Sequence, residues 1–267
     1  MTTLSTVSKT LFIPMWGRIY AAEHFPHILY DEKALSIRHH IPATVREERQ
    51  SQYACLASAV RSANMDRFIA EFMTMHGDAV VVEIGCGLET TFWRCREKAF
   101  RWYCVDLPDV MTYRATILPA EQGLYYMSAS MFDEERMRAM KNEVGDRPVL
   151  FVVAGVFHYF DREKIINLLK TWQSIFPGCR VLFDTLNKKG VRGVKRYMKR
   201  AGHKEAVIYF YVDDAKDLVA EIGGSAALLS EGDFYEGISR AGMRLMTRLS
   251  MNLSDRMHMV KMIQLKL

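Results

Sequence analysis

The stretch AVVVEIGCGLETTFWR, residues Ala79–Arg94, decides the fold. It opens with a short run of mostly β-branched apolar residues, which is typical of a buried strand. Gly85 and Gly87 end this run, and a helix-like segment follows them. Because glycine tolerates positive φ and leaves space beside the backbone, the turn predicts a ligand that approaches the main chain closely. The helix N-terminus favours an anionic group on that ligand.

Strand and helix patterns alternate after this turn. The further strands are predicted at Arg101–Val105, Leu124–Met127, Val149–Ala154 and Arg180–Phe183. A helix is predicted at Glu89–Lys98, and Asp133 is the candidate N-cap of the helix that follows Leu124–Met127. Apolar strands that alternate with helices predict an α/β fold with an open, mostly parallel sheet. Ligands of such sheets bind outside the carboxyl ends of the strands, which here carry Glu83, Asp106, Ala154 and Asp184.

Asp106 comes 19 residues after Gly87, at the end of the second predicted strand. An acid about 20 residues beyond a glycine turn is typical of a carboxylate that binds ribose hydroxyls. The alternative is a tight turn with an acid that binds no ribose. A dinucleotide fingerprint is not complete, because Thr90 stands where a third glycine is expected.

The segments before and after the alternating strands and helices predict how the chain is divided into domains. Helical periodicity over Tyr53–Phe72 leads us to assign residues 1–78 to a helical lid and 79–267 to the ligand-binding core. The last ten residues, HMVKMIQLKL, predict an edge strand. No apolar run reaches the ~18 residues of a membrane span, and no signal peptide is visible, so we expect a soluble cytoplasmic protein.

Composition narrows the function classes. The chain has 267 residues and five cysteines without a close pair, which disfavours a disulfide framework and a zinc site. No metal is expected. The net charge of +5 is concentrated in Asn187–Lys204, where basic residues share one helix face. They are Arg192, Lys195, Arg196, Lys199 and Arg200. This face is either a phosphate- or nucleic-acid-binding surface or, as we prefer, a solvated helix face.

Three segments carry a resemblance to a known family: EIGCGLETTFWR, VDLPDVMTYRATILP and AGVFHYF. They resemble the leucine carboxyl methyltransferase family, and most closely its small bacterial members that methylate polyketide carboxyl groups. Arg61 and Asp66 also match the family's R-x-x-x-x-D spacing. The likeness covers most of the chain and is strongest from Arg61 to Phe160. It implies a class I methyltransferase fold, with a Rossmann-like seven-stranded sheet, and S-adenosylmethionine (SAM) as cofactor.

The resemblance also implies roles for individual residues. Arg61 would bind the SAM carboxylate, which suits a guanidinium. Gly85 and Gly87 would lie along the methionine moiety, Asp106 would bind the ribose, and Leu107 would lie beside the adenine. The full predicted cofactor set is Arg61, Glu83, Gly85, Gly87, Asp106, Leu107, Ser130 and Met131.

The sequence departs from the family pattern at three positions. Ser130 stands where the family has an acid facing the adenine amine, and a serine hydroxyl or a backbone carbonyl can accept that hydrogen bond. Ala154 stands where it has glutamate, and Thr91 where it has arginine.

The acceptor side is predicted from residues after the fourth strand. His158 is the candidate general base and Tyr159 its catalytic neighbour, although both residue types also serve structural roles. Tyr209 and Tyr211, in the run AVIYFYVDD, are candidates for stacking on a planar acceptor, unless this run is an ordinary buried strand. A carboxylate acceptor is ionised at pH 7 and needs no base, whereas a phenol benefits from one.

The predicted activity is SAM-dependent O-methylation of a small, partly aromatic acceptor, with a carboxylate preferred over a phenol. Two alternatives stay open: an RNA or protein methyltransferase, and a SAM-binding protein with impaired catalysis. Neither a membrane nor a nucleic acid is expected as a partner, and a homodimer is left open.

Overall fold

The computed structural model describes residues 6–47, 50–95, 101–200 and 208–267. Within them, seven strands form a sheet. The strands are β1 Val80–Ile84, β2 Arg101–Asp106, β3 Leu124–Ser128, β4 Val149–Val153, β5 Arg180–Leu186, β6 Ala227–Asp233 and β7 Val260–Lys266. Their order is β3-β2-β1-β4-β5-β7-β6. The first five strands pair in parallel, and β7 runs antiparallel to β5 and β6. The prediction of a mostly parallel seven-stranded sheet is confirmed.

Helices connect these strands and cover the sheet. They are α1 Thr6–His24, α2 Glu32–Ser36, α3 Ala43–Glu47, α4 Gln52–Met75, α5 Thr91–Cys95, α6 Pro108–Ile117, α7 Glu134–Val144, α8 Arg162–Ile175, α9 Lys188–Arg200, α10 Ala215–Ile222 and α11 Leu245–Arg256. Asp133 caps α7 as predicted, because its carboxylate accepts the N–H of Arg136 at 3.1 Å. Asp161 holds the N-cap position of α8 without a side-chain hydrogen bond.

The core has a layer on each face of the sheet, because all five residues of β1 are buried and successive side chains point to opposite faces. Val80 and Val82 belong to the layer completed by apolar residues of α7, α8 and α10. Val81 belongs to the other layer, which includes residues of α4, Met111 of α6 and Met251 of α11. Helices on both faces leave the carboxyl ends of β1, β2, β4 and β5 as the place where a site can form.

The C-terminal part of the sheet corrects two predictions. The predicted edge strand, β7, lies between β5 and β6, and its Ile263 and Leu265 are fully buried. The edge is β6, which was not predicted because its residues alternate between exposed and half-buried. Strand β5 continues past Phe183 to Leu186, since Asp184 and the two residues after it pair with β7. Asp184 is therefore inside a strand.

Other predicted elements are only partly described. The predicted helix Glu89–Lys98 is shorter at its start, because α5 begins at Thr91, and residues 96–98 lie outside the described chain. The basic segment does form a helix, α9, on which Arg192, Lys195 and Arg196 are exposed. The side chains of Lys199 and Arg200 and the segment 201–207 lie outside the described part, so the start of the aromatic run is outside it too.

The N-terminal helices pack closely on the rest of the protein. Helix α1 crosses α4 at Gly17, where an added Cβ would lie 2.6 Å from the carbonyl oxygen of Cys55. Apolar residues of α1, including Phe12 and Met15, form a third cluster with Leu88 from the glycine turn. The division into a lid of residues 1–78 and a core stays a prediction. Among the described helices, none combines the length and apolar character that crossing a bilayer requires.

Candidate cofactor site and acceptor site

The glycine turn after β1 needs both of its glycines. Gly85 and Gly87 have φ values of +63° and +46°. An added Cβ on Gly85 would lie 2.5 Å from Cγ2 of Val156, and one on Gly87 would lie 3.0 Å from Cδ2 of Leu11. The turn is therefore in contact with the segment after β4 on one side and with α1 on the other. Side chains at these positions would strain the backbone and fill the space beside it.

Asp106 ends β2 and is tied to the glycine turn. Its Oδ2 accepts the N–H of Gly87 at 2.8 Å, and its Oδ1 accepts the N–H of Leu107 at 2.7 Å. Burial raises the pKa of this carboxyl, and these two N–H donors oppose that effect. A carboxylate has about four acceptor positions, so about two remain for hydroxyl groups of a ligand. Leu107, next to it, is 46% exposed and offers an apolar surface.

A charged cluster lies across the ends of β4 and β5. Nη1 of Arg61, from α4, is 3.5 Å from Oδ2 of Asp184. The same oxygen lies 3.4 Å from Nε2 of His158, while Oδ1 accepts the N–H of Gly155 at 2.6 Å. Burial would raise the pKa of Asp184, but Arg61, His158 and the Gly155 N–H lower it to about 2. Asp184 is therefore ionised at neutral pH.

Gly155 makes room for the arginine of this cluster. Its φ is +68°, and an added Cβ would lie 2.3 Å from Nη1 of Arg61. The next residue, Val156, is the one that contacts Gly85. The turn after β4 thus brings the charged cluster next to the glycine turn, so the two form one continuous site.

Glu83 is placed differently from the other predicted cofactor residues. The residue is 3% exposed, and its carboxyl accepts hydrogen bonds from Trp102 Nε1 at 3.0 Å and from Cys104 Sγ at 3.4 Å. Burial raises its pKa. These contacts lie inside the protein, and nothing in this geometry supports a direct contact between Glu83 and a ligand.

Ser130 and Met131 follow β3 and lie near the end of β2. The preceding residue, Ala129, donates its N–H to the carbonyl of Asp106 at 3.0 Å. The Ser130 Oγ accepts the N–H of Phe132 at 3.3 Å, which leaves its own proton available to a ligand. Met131 is 7% exposed and packs into the core. Of the two residues, Ser130 has the more accessible polar group.

The acceptor candidates lie beside the charged cluster. Tyr159 is 57% exposed and Tyr209 is 51% exposed. The backbone N–H of Tyr209 donates to the carbonyl of His158 at 2.9 Å, which holds the two segments together. The described part of the aromatic run is not a strand. Tyr211 is half-buried, so its ring is less available to an acceptor than the ring of Tyr209. The backbone carbonyl of Tyr211 accepts a hydrogen bond from Arg162 at 2.9 Å.

Sequence reasoning missed a buried network of charges beside the glycine turn. Arg18 of α1 donates to Asp31 at 3.2 Å and to Glu89 at 2.8 Å. Arg94 of α5 contacts Asp31 at 2.6 Å and makes a bidentate pair with Asp66 at 2.7 and 3.0 Å. The matched R-x-x-x-x-D spacing was a signal for Asp66, but it could not name Arg94 as its partner.

This network fixes α1 to the glycine turn. Arg18 also donates to the carbonyl of Leu88 at 2.7 Å. Burial would raise the pKa of Glu89, but Arg18 and Arg94 lower it to about 2. The hydroxyl of Thr91, the residue that departs from the family arginine, accepts a hydrogen bond from Arg94 at 3.3 Å. The charges compensate one another where Arg18 and Asp31 are almost completely buried.

The glycine turn, the acid at the end of β2 and the mostly parallel seven-stranded sheet define the class of the protein as an α/β protein of the class I methyltransferase fold. Solved structures support the fold. A DUF574 family protein from Streptomyces avermitilis matches with a TM-score of 0.58 at 17% identity, covering 94% of this chain and 96% of that chain. Magnesium protoporphyrin IX methyltransferase from Synechocystis, solved with bound S-adenosylhomocysteine, matches with a TM-score of 0.51 at 9% identity, covering 96% and 99%.

The chain belongs to the leucine carboxyl methyltransferase family, whose model matches residues 18–173. This confirms the resemblance and the prediction of SAM as cofactor. The tetracenomycin polyketide synthesis O-methyltransferase TcmP of Streptomyces glaucescens is 24% identical over 68% of this chain and 67% of its own length. A SAM-dependent methyltransferase of Gibberella zeae, dpfgK, is 24% identical over 63% of this chain, and the match spans 61% of that relative.

Proposed function

We propose that this protein transfers the methyl group of SAM to an oxygen of a small, partly aromatic molecule, with a carboxylate preferred over a phenol. One observation carries the proposal: the glycine turn and Asp106 lie at the same end of the sheet as the exposed rings of Tyr159 and Tyr209, beyond the carboxyl ends of the parallel strands. The relative TcmP is an O-methyltransferase of polyketide synthesis, which supports an oxygen atom as the acceptor.

The residues present fit SAM. In the proposed arrangement Arg61 binds the carboxylate, and Gly85 and Gly87 leave space for the methionine moiety. Asp106 accepts hydrogen bonds from the ribose hydroxyls. The exposed side chain of Leu107 and the segment of Ser130 and Met131 then lie on the adenine side, where the Ser130 proton can be donated to a ring nitrogen.

The surroundings of His158 favour a carboxylate acceptor. An ionised Asp184 favours the tautomer that carries the proton on Nε2, which faces that carboxylate. The other ring nitrogen, Nδ1, is buried and has no hydrogen-bond partner in the described structure. Neither nitrogen is therefore placed to take a proton from an acceptor in the cleft. An acceptor that is already ionised needs no such group.

The chemistry asked of the protein is then mainly placement. The bound sulfonium supplies an activated methyl group. This chain's residues hold the acceptor oxygen in line and exclude water, and positioning of this kind contributes several kcal/mol to catalysis. Tyr159 and Tyr209 offer ring faces to a planar acceptor.

Replacing His158 with alanine tests the acceptor class. For a carboxylate acceptor we expect the variant to keep most of the wild-type rate, because no proton has to be removed. For a phenol whose proton His158 removes, contrary to the geometry above, the same change should lower the rate by about 100-fold or more. The measurement is a screen of aromatic acids and phenols with methyl-labelled SAM, followed by mild alkali, which hydrolyses methyl esters and leaves aryl ethers intact.

The outcomes of this screen separate the alternatives. Label that survives alkali, together with a large defect in His158→Ala, would reject the carboxylate preference. Label found on RNA or on protein alone would reject the small-molecule acceptor. Binding of SAM without transfer to any acceptor would favour a protein with impaired catalysis, for which the uncharged residues Ser130 and Ala154 are the relevant features.

Replacing Gly155 with alanine is expected to lower affinity for S-adenosylhomocysteine by about tenfold, which corresponds to one hydrogen bond between charged groups. The added methyl group would lie 2.3 Å from Nη1 of Arg61, so the guanidinium would have to move. Calorimetric titration gives the affinity. The matched control is Gly145→Ala, because Gly145 has a similar φ of +64° but no atom within 4 Å of the added Cβ. Equal affinities of the two variants would show that Arg61 does not contact the cofactor.

A further inference from the structure

Arg61 contacts the carboxylate of Asp184 near the carboxyl ends of β4 and β5, where β4 contributes no charged residue. Ala154, the residue between β4 and the turn at Gly155, is uncharged. The carboxylate in this region comes instead from Asp184 of the neighbouring strand β5. Asp184 is 5% exposed, whereas the Arg61 side chain is 20% exposed. A ligand can therefore touch the arginine, while the aspartate lies behind it.

The contacts of Asp184 show what it fixes. Oδ1 accepts the N–H of Gly155 at 2.6 Å, which anchors the carboxylate to the turn that makes room for Arg61. Oδ2 lies 3.5 Å from Nη1 of Arg61 and 3.4 Å from Nε2 of His158. One carboxylate thus orients the arginine and the histidine of neighbouring segments. A guanidinium has five N–H donors, so its contact with Asp184 leaves others for a second carboxylate.

We infer that Asp184 is a positioning residue, which holds the guanidinium of Arg61 in the orientation that binds the carboxylate of the amino-acid moiety of SAM. This inference rests on the proposed function. It assigns Asp184 a role in selecting ligands that carry this amino-acid group, without contact between Asp184 and the ligand. Without Asp184, Arg61 keeps its charge but loses the partner that restricts its many rotamers.

Two ligands separate this role from a general effect on folding. S-adenosylhomocysteine carries the amino-acid group, and 5′-deoxy-5′-methylthioadenosine lacks it but shares the adenosine. For Asp184→Asn we expect about tenfold weaker binding of S-adenosylhomocysteine, as for the loss of one oriented charge-assisted hydrogen bond, and unchanged binding of methylthioadenosine. The readout is the ratio of the two dissociation constants, measured by calorimetry.

The chain offers a matched control among residues that have no assigned role in the site. Asp255 also accepts a backbone N–H with one oxygen, from Tyr235 at 3.1 Å, and faces an arginine with the other, Arg240 at 3.3 Å. The ratio of dissociation constants should not change in Asp255→Asn. If Asp184→Asn does not fold, Asp184→Glu moves the carboxylate by one methylene, and the same ratio should then change by at least about threefold.

The results that overturn the inference differ from those that overturn the proposed function. An unchanged ratio in a folded Asp184 variant, whether both ligands bind normally or both weaken together, would reject the positioning role. The proposed function would still stand, because the wild-type protein binds the cofactor product. If the wild-type protein binds neither ligand, the proposed function fails and this inference fails with it.

Discussion

Replacing Asp106 with alanine is expected to weaken binding of S-adenosylhomocysteine by about 100-fold. The estimate assumes two hydrogen bonds from ribose hydroxyls to a carboxylate, at about 1.5 kcal/mol each. The same change removes the acceptors of the Gly87 and Leu107 N–H groups, so the glycine turn also loses its anchor. Among the variants of the cofactor site considered above, this one should have the largest effect on affinity.

The 2′-deoxyribose analogue of S-adenosylhomocysteine distinguishes a lost ribose contact from a disturbed turn. The wild-type protein should prefer the ribose form, and Asp106→Ala should bind both forms with similar affinity. Asp109→Ala is the control, because Asp109 is an exposed acid of the adjacent helix turn. Wild-type affinity in Asp106→Ala, measured by calorimetry, would contradict the assignment of Asp106 to the ribose.

Replacing Arg18 with methionine is expected to lower the free energy of unfolding by about 3 kcal/mol. Removing one member of a buried ion pair leaves its partners without compensation, and losses of about 3–5 kcal/mol are typical. We expect the lower end, because Asp31 and Glu89 retain Arg94 as a partner. Urea denaturation, with attention to the midpoint and slope, measures the change.

An exposed arginine provides the control for this stability prediction. Arg138 pairs with Glu134 on the surface of α7, and both side chains are more than half exposed. Arg138→Met should cost no more than about 1 kcal/mol. Equal losses in the two variants would show that burial of the network contributes nothing.

The dependence of the free energy of unfolding on pH, measured below about pH 4.5, tests the same network in a second way. The pKa of Glu89 is about 2, below its usual value, so its contribution to stability is complete above about pH 4.5 and is lost as the pH falls towards 2. Arg18→Met should reduce this part of the pH dependence, because the pKa of Glu89 rises. An unchanged profile below pH 4.5 would contradict the assignment.

Local patterns in the sequence were sufficient for the parts of the fold that depend on neighbouring residues. The apolar run before Gly85 predicted β1, and the apolar residues before Asp106 predicted a second strand that this acid ends, which is observed as β2. The predicted cap of α7 by Asp133 was also confirmed. In these cases a short stretch of chain contains both the signal and the structure that it specifies.

The remaining features depend on pairs that are far apart in the sequence. The position of β7 between β5 and β6 follows from pairing that no local pattern encodes. Asp184 was seen as a strand end, but its contact with Arg61 depends on how α4 packs across the sheet. The partners of Arg18, 13 and 71 residues away, could not be chosen among the many acids of the chain without the packed structure.

The contacts of Arg18 also determine how this protein can be recombined with its relatives. One guanidinium of α1 contacts Asp31, Glu89 and the carbonyl of Leu88, so the N-terminal segment and the glycine turn share a set of charges. A chimera that exchanges residues 6–47 alone would separate these charges and leave some of them buried without a counter-ion. The two segments therefore have to be inherited together, as one exchangeable block, although residues 48–84 lie between them in the chain.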